Sequence, residues 1–358
     1  MKKNQMQYKN LGRSGLKVSR FSYGNFLTTP KGMEEEHQQL VNSMIKLSFE
    51  KGINFFDTAE AYDAGEAERK LGKALKALNV PRSDYVVSTK IYWGRHSSNS
   101  TDVNNVGTSR KHLYEGLERS LANLQLDYVD VLFCHRYDNE TTTEEVVQAM
   151  RDIIASGQAL YWATSTWPAD RIMEAILLSD IHGAPRPICD QCQYSMLHRG
   201  PIEKEYINLF DSYGYGTTVY STLKFGILTG KYNESIPEDS RLSRHKVSTR
   251  FLSQKGEVFS PENKASTIDK LRKLAVVAKK VGCTQTQLSL VWTLHSKDVT
   301  TAILGARNCK QLAENIDAIR FYDKLTPEIL EEIEGILQNR PTPETDYKNN
   351  FALMPYRR

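Results

Sequence analysis

The chain has 358 residues, of which 40% are hydrophobic and 25% are charged, and its formal net charge is +4. No apolar run approaches the ~18 residues of a membrane-spanning helix, which argues against membrane insertion. So small an excess of positive charge does not favour a nucleic-acid partner. The five cysteines do not form a disulfide framework, and the opening MKKNQMQYKN lacks the hydrophobic segment of a signal peptide. We therefore expect a cytoplasmic protein.

Eight short segments rich in Val, Ile, Tyr and Phe predict eight strands, each typical of a parallel strand buried on both faces. A hairpin centred on Ser14 and Gly15 is predicted before them, over 8–19. The predicted strands are 20–24, 53–59, 85–90, 128–135, 159–165, 187–193, 216–222 and 300–306. The sixth contains a C-x-x-C sequence, Cys189 and Cys192. Because no second cysteine pair accompanies it, we interpret both as ordinary residues on opposite faces of the strand.

Helical periodicity fills the intervals between the predicted strands. Four leucines recur at helical spacing after the third strand, and Gly157 is placed to end the helix after the fourth. A further helix is predicted from a capping box at Thr284 to His295. Asn308 can cap the helix that follows the eighth strand. The chain thus repeats a strand–helix unit.

Eight such units without a Gly-x-Gly-x-x-Gly fingerprint predict an α/β fold, the (β/α)8 TIM barrel, rather than a doubly wound sheet. Such a barrel needs about 250 residues, which leaves roughly a hundred for loops and ends. We assign these to the hairpin, to a long polar loop at 231–266 and to an irregular tail at 341–358. Since no linker-like segment divides the chain, we expect one domain spanning 1–358.

Polar residues stand where the predicted strands end, and in a TIM barrel the active site is built from those ends. Taken singly, Asp57 could cap a helix, Lys90 could reach solvent and His135 could be structural. Their convergence on one face makes that explanation weaker. The residues at the strand ends are Asp57, Lys90, His135, Ser165, Gln191, Tyr220, Ser221, Gly305 and Arg307, and Tyr62 follows Asp57 in the next loop.

Three of these residues can form a tuned phenolic acid. A tyrosine with its ordinary pKa near 10 donates a proton poorly at neutral pH. A neighbouring ammonium such as that of Lys90 favours the phenolate and lowers the pKa of Tyr62, while Asp57 keeps the lysine charged. His135 could hold the substrate oxygen or share its proton. The eight histidines are scattered without metal-ligand spacing, so a nicotinamide cofactor is the expected source of a hydride.

Several segments resemble the aldo-keto reductases, and more narrowly the branch that contains the β subunits of voltage-gated potassium channels and their microbial and plant relatives. The matching segments are GINFFDTAEAYDAGEAE, STKIYWG, GTSRKHLYEGLERSLANLQLDYVDVLFCHRYD, WATSTW and ILGARNCKQLAENIDAI. The likeness runs from about Tyr8 to about Tyr347 and implies the same barrel. It also implies four catalytic residues: Asp57, Tyr62, Lys90 and His135. Animal channel subunits carry asparagine where this chain has His135, which favours working catalysis here.

The resemblance further implies how NADPH or NADP+ would be held. Ser165 and Gln191 would hydrogen-bond the nicotinamide amide, and Tyr220 would stack on its ring. Ser221 and Leu223 would lie on the pyrophosphate, Lys231, Arg241 and Arg307 around the 2′-phosphate, and Gln311, Glu314 and Asn315 around the adenine. Asp57, Thr166 and Gly305 are also assigned to the cofactor site. Arg307 precedes a predicted helix N-terminus, which is itself an anion site. Cations beside a doubly charged phosphate favour NADPH over NADH.

Some positions depart from the family pattern. Thr222 stands where relatives usually carry proline, and Lys224 where they carry a small residue, both in the predicted pyrophosphate segment. Thr166 replaces the arginine of the channel subunits. Phe26 stands about where relatives place a tryptophan over the substrate, so we assign it to the substrate site with Tyr62 and His135.

Three hypotheses follow. In the first, the chain is an NADPH-dependent reductase of small-molecule aldehydes or ketones. In the second, it is a cytoplasmic β subunit of a potassium channel that uses NADP(H) as a redox sensor, which implies a homotetramer because the channel partner is a tetramer. In the third, Tyr62 and Lys90 are rim residues of an unrelated enzyme, and 243–250 forms a phosphate or nucleic-acid patch. The small net charge disfavours nucleic acid.

Overall fold

Eight parallel strands close into a barrel in which the first strand pairs with the last. The computed structural model describes residues 6–26, 29, 32–94, 103–232, 260 and 263–342. Two strands of the predicted hairpin come first, β1 (Tyr8–Asn10) and β2 (Lys17–Ser19). The barrel strands are β3 (Phe21–Gly24), β4 (Phe55–Asp57), β5 (Val86–Ile91), β6 (Val129–Cys134), β7 (Ala159–Thr164), β8 (Cys189–Gln193), β9 (Gly216–Tyr220) and β10 (Thr301–Leu304). The predicted (β/α)8 barrel and its hairpin are confirmed.

Helices surround the barrel and bury their apolar faces against the outer side of the strands. In chain order they are α1 (Glu34–Glu50), α2 (Glu66–Leu78), α3 (Arg110–Leu124), α4 (Thr143–Ala155), α5 (Ala169–Ile181), α6 (Ile207–Tyr213), α7 (Lys264–Val281), α8 (Gln285–His295), α9 (Cys309–Asp317) and α10 (Pro327–Leu337). The predicted helix ends hold. Thr284 forms the expected capping box, Asn308 accepts a hydrogen bond from the backbone of the next turn, and Gly157 follows the end of α4 with a positive φ of 80°.

The hairpin closes the N-terminal end of the barrel. Leu11 and Val18 are fully buried and pack in one cluster with residues from the barrel interior. Gly12, at a φ of +58°, lies so near the start of the strands that an added Cβ would come within 2.3 Å of the Ile188 carbonyl oxygen. Since this end is filled, the C-terminal end is where a ligand can enter.

Alternation along β4 and β5 places a charged side chain inside the barrel near its C-terminal end. On β4, Phe55 belongs to the interior cluster and Asp57 follows two residues later on the same face. On β5, the inward-facing Val86 is likewise followed at the same period by Lys90. The interior therefore changes from apolar to charged along the barrel axis. Cys189 lies in the interior cluster and Cys192 in the outer one, as two residues on opposite faces of a strand should.

Parts of the predicted loops lie beyond what the structure describes. Most of 231–266 lies there, including Arg241 and the basic segment 243–250. Helix α7 begins at Lys264, two residues before the predicted end of that loop. The tail is described only to residue 342. Within the described ranges, no helix combines the length and apolar character that crossing a bilayer requires.

Candidate active site

A buried ion pair lies at the C-terminal mouth of the barrel. The Lys90 ammonium donates to an Asp57 carboxylate oxygen at 2.6 Å, and the two side chains are 0% and 3% exposed. The second Asp57 oxygen accepts from Ser88 at 2.7 Å and from Gln191 at 3.0 Å, and Lys90 also donates to the Thr58 carbonyl at 2.6 Å. Because a buried pair persists only when its remaining donors and acceptors are satisfied, these bonds explain how Lys90 stays in place.

Tyr62 begins a short 3-10 helix directly beyond this pair and lies over Lys90. The Lys90 ammonium is 4.9 Å from the centre of the Tyr62 ring. Tyr62 is half-buried, and its phenol is desolvated enough that burial is the largest influence on its pKa. The three predicted residues are therefore brought together.

The pKa of Tyr62 corrects part of the prediction. Burial raises this pKa, and the charge and hydrogen bond of Lys90 lower it, as expected, but burial has the larger effect. The net direction is upward from the ordinary value, so the expectation of a net lowered pKa is wrong. Sequence reasoning counted the ammonium and did not count the desolvation of the phenol. Lys90 still makes Tyr62 a better acid than burial alone would leave it.

Aromatic rings surround the Tyr62 hydroxyl on its open side. The His135 ring lies edge-on to Tyr62 at 5.8 Å between centres, and Phe26 does so at 4.7 Å. Trp93 lies edge-on to His135 at 6.4 Å. Phe26 and Trp93 are 50% and 38% exposed, so both present apolar surface at the mouth. Together they outline a space next to Tyr62 with apolar walls and polar groups at its base.

The residues predicted to bind the nicotinamide are joined to this site by hydrogen bonds. Ser165 donates to the Gln191 backbone carbonyl at 3.0 Å, and the Gln191 side chain donates to Asp57. The Thr166 hydroxyl lies 3.3 Å from that of Tyr220. Ser165 and Gln191 are buried, Tyr220 is half-buried and Thr166 is exposed. This group is continuous with the ion pair.

A second set of predicted cofactor residues lies farther along the rim, after β9 and β10. Ser221 and Leu223 are half-buried in the segment after β9, and Lys231 is exposed at its end. After β10, Arg307 and Gln311 are exposed at the N-terminus of α9, where the Arg307 N–H donates to the Gln311 side chain at 3.1 Å. Gly305, Glu314 and Asn315 lie nearby, with Asn315 donating to the Gly305 carbonyl at 3.4 Å.

Left-handed backbone is concentrated in the loops around the site. Nine described non-glycine residues have positive φ, and six of them lie in loops at this end of the barrel. These six are Asp63 and Ala64 after Tyr62, Thr166 after Ser165, and Ser221, Lys224 and Phe225 after β9. Such backbone costs free energy outside glycine and persists where the surrounding contacts impose it. The site loops are thus held in defined conformations.

Three residues at the site were missed in the sequence reading. Arg136 directly follows His135, hydrogen-bonds the Ser165 hydroxyl at 3.2 Å and lowers the pKa of Tyr62 against the larger effect of burial. Trp93 forms part of the mouth, and Ser88 supports Asp57. Arg136 and Trp93 could have been found from their positions just after a strand end. We considered only the first polar residue after each strand. Ser88 could have been found from the alternation of β5, which places it on the same face as Lys90.

The chain belongs to the aldo/keto reductase family, whose model matches residues 24–338. This is an oxidoreductase family, in agreement with the resemblance noted in the sequence. Among individual proteins, the chain is similar to a putative voltage-gated potassium channel subunit beta of Schizosaccharomyces pombe (strain 972 / ATCC 24843). The two are 45% identical over 335 residues, which cover 93% of this chain and 94% of that protein.

Proposed function

We propose that the chain is an NADPH-dependent oxidoreductase of the cytoplasm that reduces aldehydes and ketones to alcohols, with Tyr62 as the proton donor. The observation that carries the proposal is the buried Asp57–Lys90 pair with its ammonium 4.9 Å from the centre of the Tyr62 ring, at the open end of a barrel whose family is oxidoreductase. A phenol beside an ammonium can release a proton because the phenolate left behind is stabilised.

The proton step follows from the geometry around Tyr62. A carbonyl oxygen lying between Tyr62 and His135 would accept a hydrogen bond from each, since the two rings lie edge-on with their centres 5.8 Å apart. As negative charge develops on that oxygen, Tyr62 transfers its proton and Lys90 stabilises the phenolate. Asp57 keeps the ammonium in position throughout. Phe26 and Trp93 would exclude water from this space.

The donor groups along the rim fit a phosphorylated dinucleotide. Amide and hydroxyl groups of Ser165 and Gln191 lie next to the catalytic pair, as a carboxamide requires, while the exposed cations Lys231 and Arg307 lie in the loops after β9 and β10. NADPH supplies the hydride when bound. We expect the cofactor to bind in extended form, with its 2′-phosphate at these cations. We include Arg241 in that end as a prediction only.

The direct test is oxidation of NADPH by the purified chain in the presence of a panel of small aldehydes and ketones. We expect turnover with at least one class of carbonyl and binding of NADPH in its absence. Binding without turnover on every carbonyl would contradict the reductase and leave the redox-sensor hypothesis. Failure to bind NADPH at all would contradict both.

A second candidate function is that of a cytoplasmic β subunit of a voltage-gated potassium channel. It is favoured by one observation, the 45% identity to a protein that bears that name. The two functions are compatible, because a subunit could retain the reductase chemistry as a sensor of NADP(H). This candidate requires a homotetramer, to match a four-fold channel. A monomer or dimer by light scattering at micromolar concentration would count against it, as would failure to co-purify with channel subunits.

A further inference from the structure

A buried pair of ionisable residues, Glu60 and His112, lies outside the catalytic group. Their side chains are 4% and 1% exposed, and Glu60 Oε2 is 3.3 Å from His112 Nε2. The other ring nitrogen of His112 bonds the Gly107 carbonyl at 2.8 Å. Burial disfavours protonation of this histidine, but the Glu60 carboxylate 3.3 Å away and the Gly107 carbonyl together outweigh it and raise the pKa of His112 overall. No catalytic contact among the described residues involves either side chain, although the Glu60 backbone N–H donates to the Lys90 carbonyl at 3.2 Å.

The pair is tied to both ends of the loop that follows β5. The second Glu60 carboxylate oxygen accepts the backbone N–H of Tyr92 at 2.7 Å and that of Gly94 at 2.9 Å. At the other end, the Gly107 N–H donates to the Tyr92 carbonyl at 2.7 Å. A buried carboxylate that accepts two backbone donors fixes the backbone between them. The residue between those two donors is Trp93.

The loop has little freedom to place Trp93 elsewhere. Gly94 has a φ of +64°, and a Cβ added there would lie 1.8 Å from the Asn105 carbonyl oxygen. The Trp93 ring then lies edge-on to His135 at 6.4 Å. A shift of the loop backbone would therefore move this ring relative to the site where a substrate oxygen would bind.

We propose that Glu60 and His112 are positioning residues that hold the loop after β5 so that Trp93 forms one wall of the substrate pocket. The role of that wall in substrate binding rests on the proposed function, whereas the restraint of Trp93 does not. The pair acts through the loop and touches neither the reacting atoms nor the nicotinamide-side residues. Its loss should weaken substrate binding while leaving cofactor binding intact.

The first test needs no enzymatic activity. Of the four tryptophans in the chain, Trp162, Trp167 and Trp292 are 0–5% exposed, so Trp93 at 38% dominates quenching of fluorescence by acrylamide. A Trp93→Phe variant identifies its signal. We expect Glu60→Ala to increase the quenchable fraction. Glu60→Gln should restore the parental value, because its amide oxygen can still accept both backbone bonds.

The matched control is Glu68→Ala. Glu68 is also a fully buried carboxylate, but its hydrogen bonds go to Thr89 at 2.6 Å and Asn123 at 2.9 Å and not to the loop. Each variant is first checked for a cooperative thermal transition. If folded Glu60→Ala quenches like the parent, or no more than Glu68→Ala does, the restraint is refuted. If Glu60→Ala fails to fold, His112→Gln decides by the same comparison.

The second test separates binding from chemistry. In Glu60→Ala we expect KM for the best aldehyde to rise about tenfold, the equivalent of one charge-assisted hydrogen bond, with kcat and the Kd of NADPH unchanged. Adding Trp93→Ala should cause no further rise, because both changes would remove the same wall. Additive losses, or equal losses of NADPH affinity, would refute the assignment. If no carbonyl is reduced at all, the proposed function fails, and the quenching test still decides whether the pair restrains Trp93.

Discussion

The two ends of the predicted cofactor cleft are built differently. At the catalytic end, Asp57, Lys90 and Gln191 are at most 3% exposed and joined by hydrogen bonds of 2.6–3.0 Å. At the other end, Lys231 and Arg307 are exposed on the rim. Buried charges must be paired in the folded protein, whereas exposed cations are stabilised by the surrounding water.

This difference indicates which part of the site reduces the stability of the folded protein. A preorganised buried pair costs desolvation free energy at all times, but it needs no rearrangement when charge develops on a substrate. An exposed cation costs little and contributes mainly affinity and selectivity for a charged ligand. Changes at the catalytic end should therefore affect both catalysis and stability, and changes at the rim should affect only binding.

The largest expected effect is on catalysis. Tyr62→Phe removes the hydroxyl while keeping the ring that packs on Phe26 and His135. We expect kcat to fall by about 10²–10⁴-fold, the usual contribution of a positioned general acid, with NADPH binding unchanged. The measurement is NADPH oxidation with the best aldehyde found for the parent. Turnover equal to that of the parent would show that another group donates the proton.

The ion pair itself should be next in size. Lys90→Met leaves Asp57 buried without its partner, and we expect a loss of about 3–5 kcal/mol in the free energy of unfolding. The double change Asp57→Asn with Lys90→Met should recover much of that loss, because it removes both charges. Urea denaturation of the three proteins measures this. A single variant as stable as the parent would mean that the pair is not desolvated as the structure indicates.

A buried carboxylate beneath the nicotinamide-side loop should make stability depend on pH. Asp190 is fully buried and accepts hydrogen bonds from the Thr164 hydroxyl at 2.7 Å and from the backbone N–H groups of Thr166 and Trp167 at 3.1 and 3.3 Å. Burial raises the pKa of Asp190 from its ordinary 3.8 to about 6, although these bonds partly oppose it. The folded state therefore binds more protons than the unfolded chain between those two values.

The contribution of Asp190 to the free energy of unfolding should be greatest below about pH 4. It should fall by about 3 kcal/mol as pH rises from about 4 through about 6. Asp190→Asn, which cannot titrate, should lack this component. The observable is the difference in unfolding free energy between the two proteins across that range, since other groups cancel. A difference that does not change with pH would mean that Asp190 titrates normally.

The barrel could be predicted because its signal is periodic and local. A short apolar segment predicts each strand, and a cap such as Thr284 or Asn308 hydrogen-bonds backbone groups within its own turn. The residues that we propose as catalytic could also be predicted, because several polar residues at the ends of buried strands converge on one face of a barrel. For Asp57 and Lys90, this convergence carried the prediction.

The remaining features depend on distances that a linear pattern does not encode. Glu60 reads as an ordinary loop acid until its side chain is seen to reach the backbone of Tyr92 and Gly94. The direction of the Tyr62 pKa shift required a comparison between the desolvation of a phenol and the charge of one lysine. That balance is set by how the loops fold over the mouth. Sequence position indicates that Tyr62 and Lys90 meet. It does not indicate whether desolvation or the charge of the lysine has the larger effect on the pKa.

The smallest expected effect tests the exposed end of the cleft. Arg307→Ala removes a cation at the start of α9, where the helix N-terminus remains as an anion site. We expect the Kd of NADPH to rise about tenfold, less than for a buried contact because solvent screens the charge. The Kd of NADH should stay the same, since it lacks the 2′-phosphate. Arg320→Ala, an exposed arginine beyond the other end of α9, is the control and should change neither.

The comparison with NADH shows whether Arg307 contacts the 2′-phosphate or a part that both cofactors share. If Arg307→Ala weakened both cofactors equally, the arginine would contact a part that they share, and the 2′-phosphate would lie nearer to Lys231. If neither cofactor were affected, the rim after β10 would not be part of the cofactor site. An unchanged free energy of unfolding is expected in every case, because an exposed side chain contributes little to it. A large loss in the free energy of unfolding would contradict the expectation that only the buried end of the cleft affects stability.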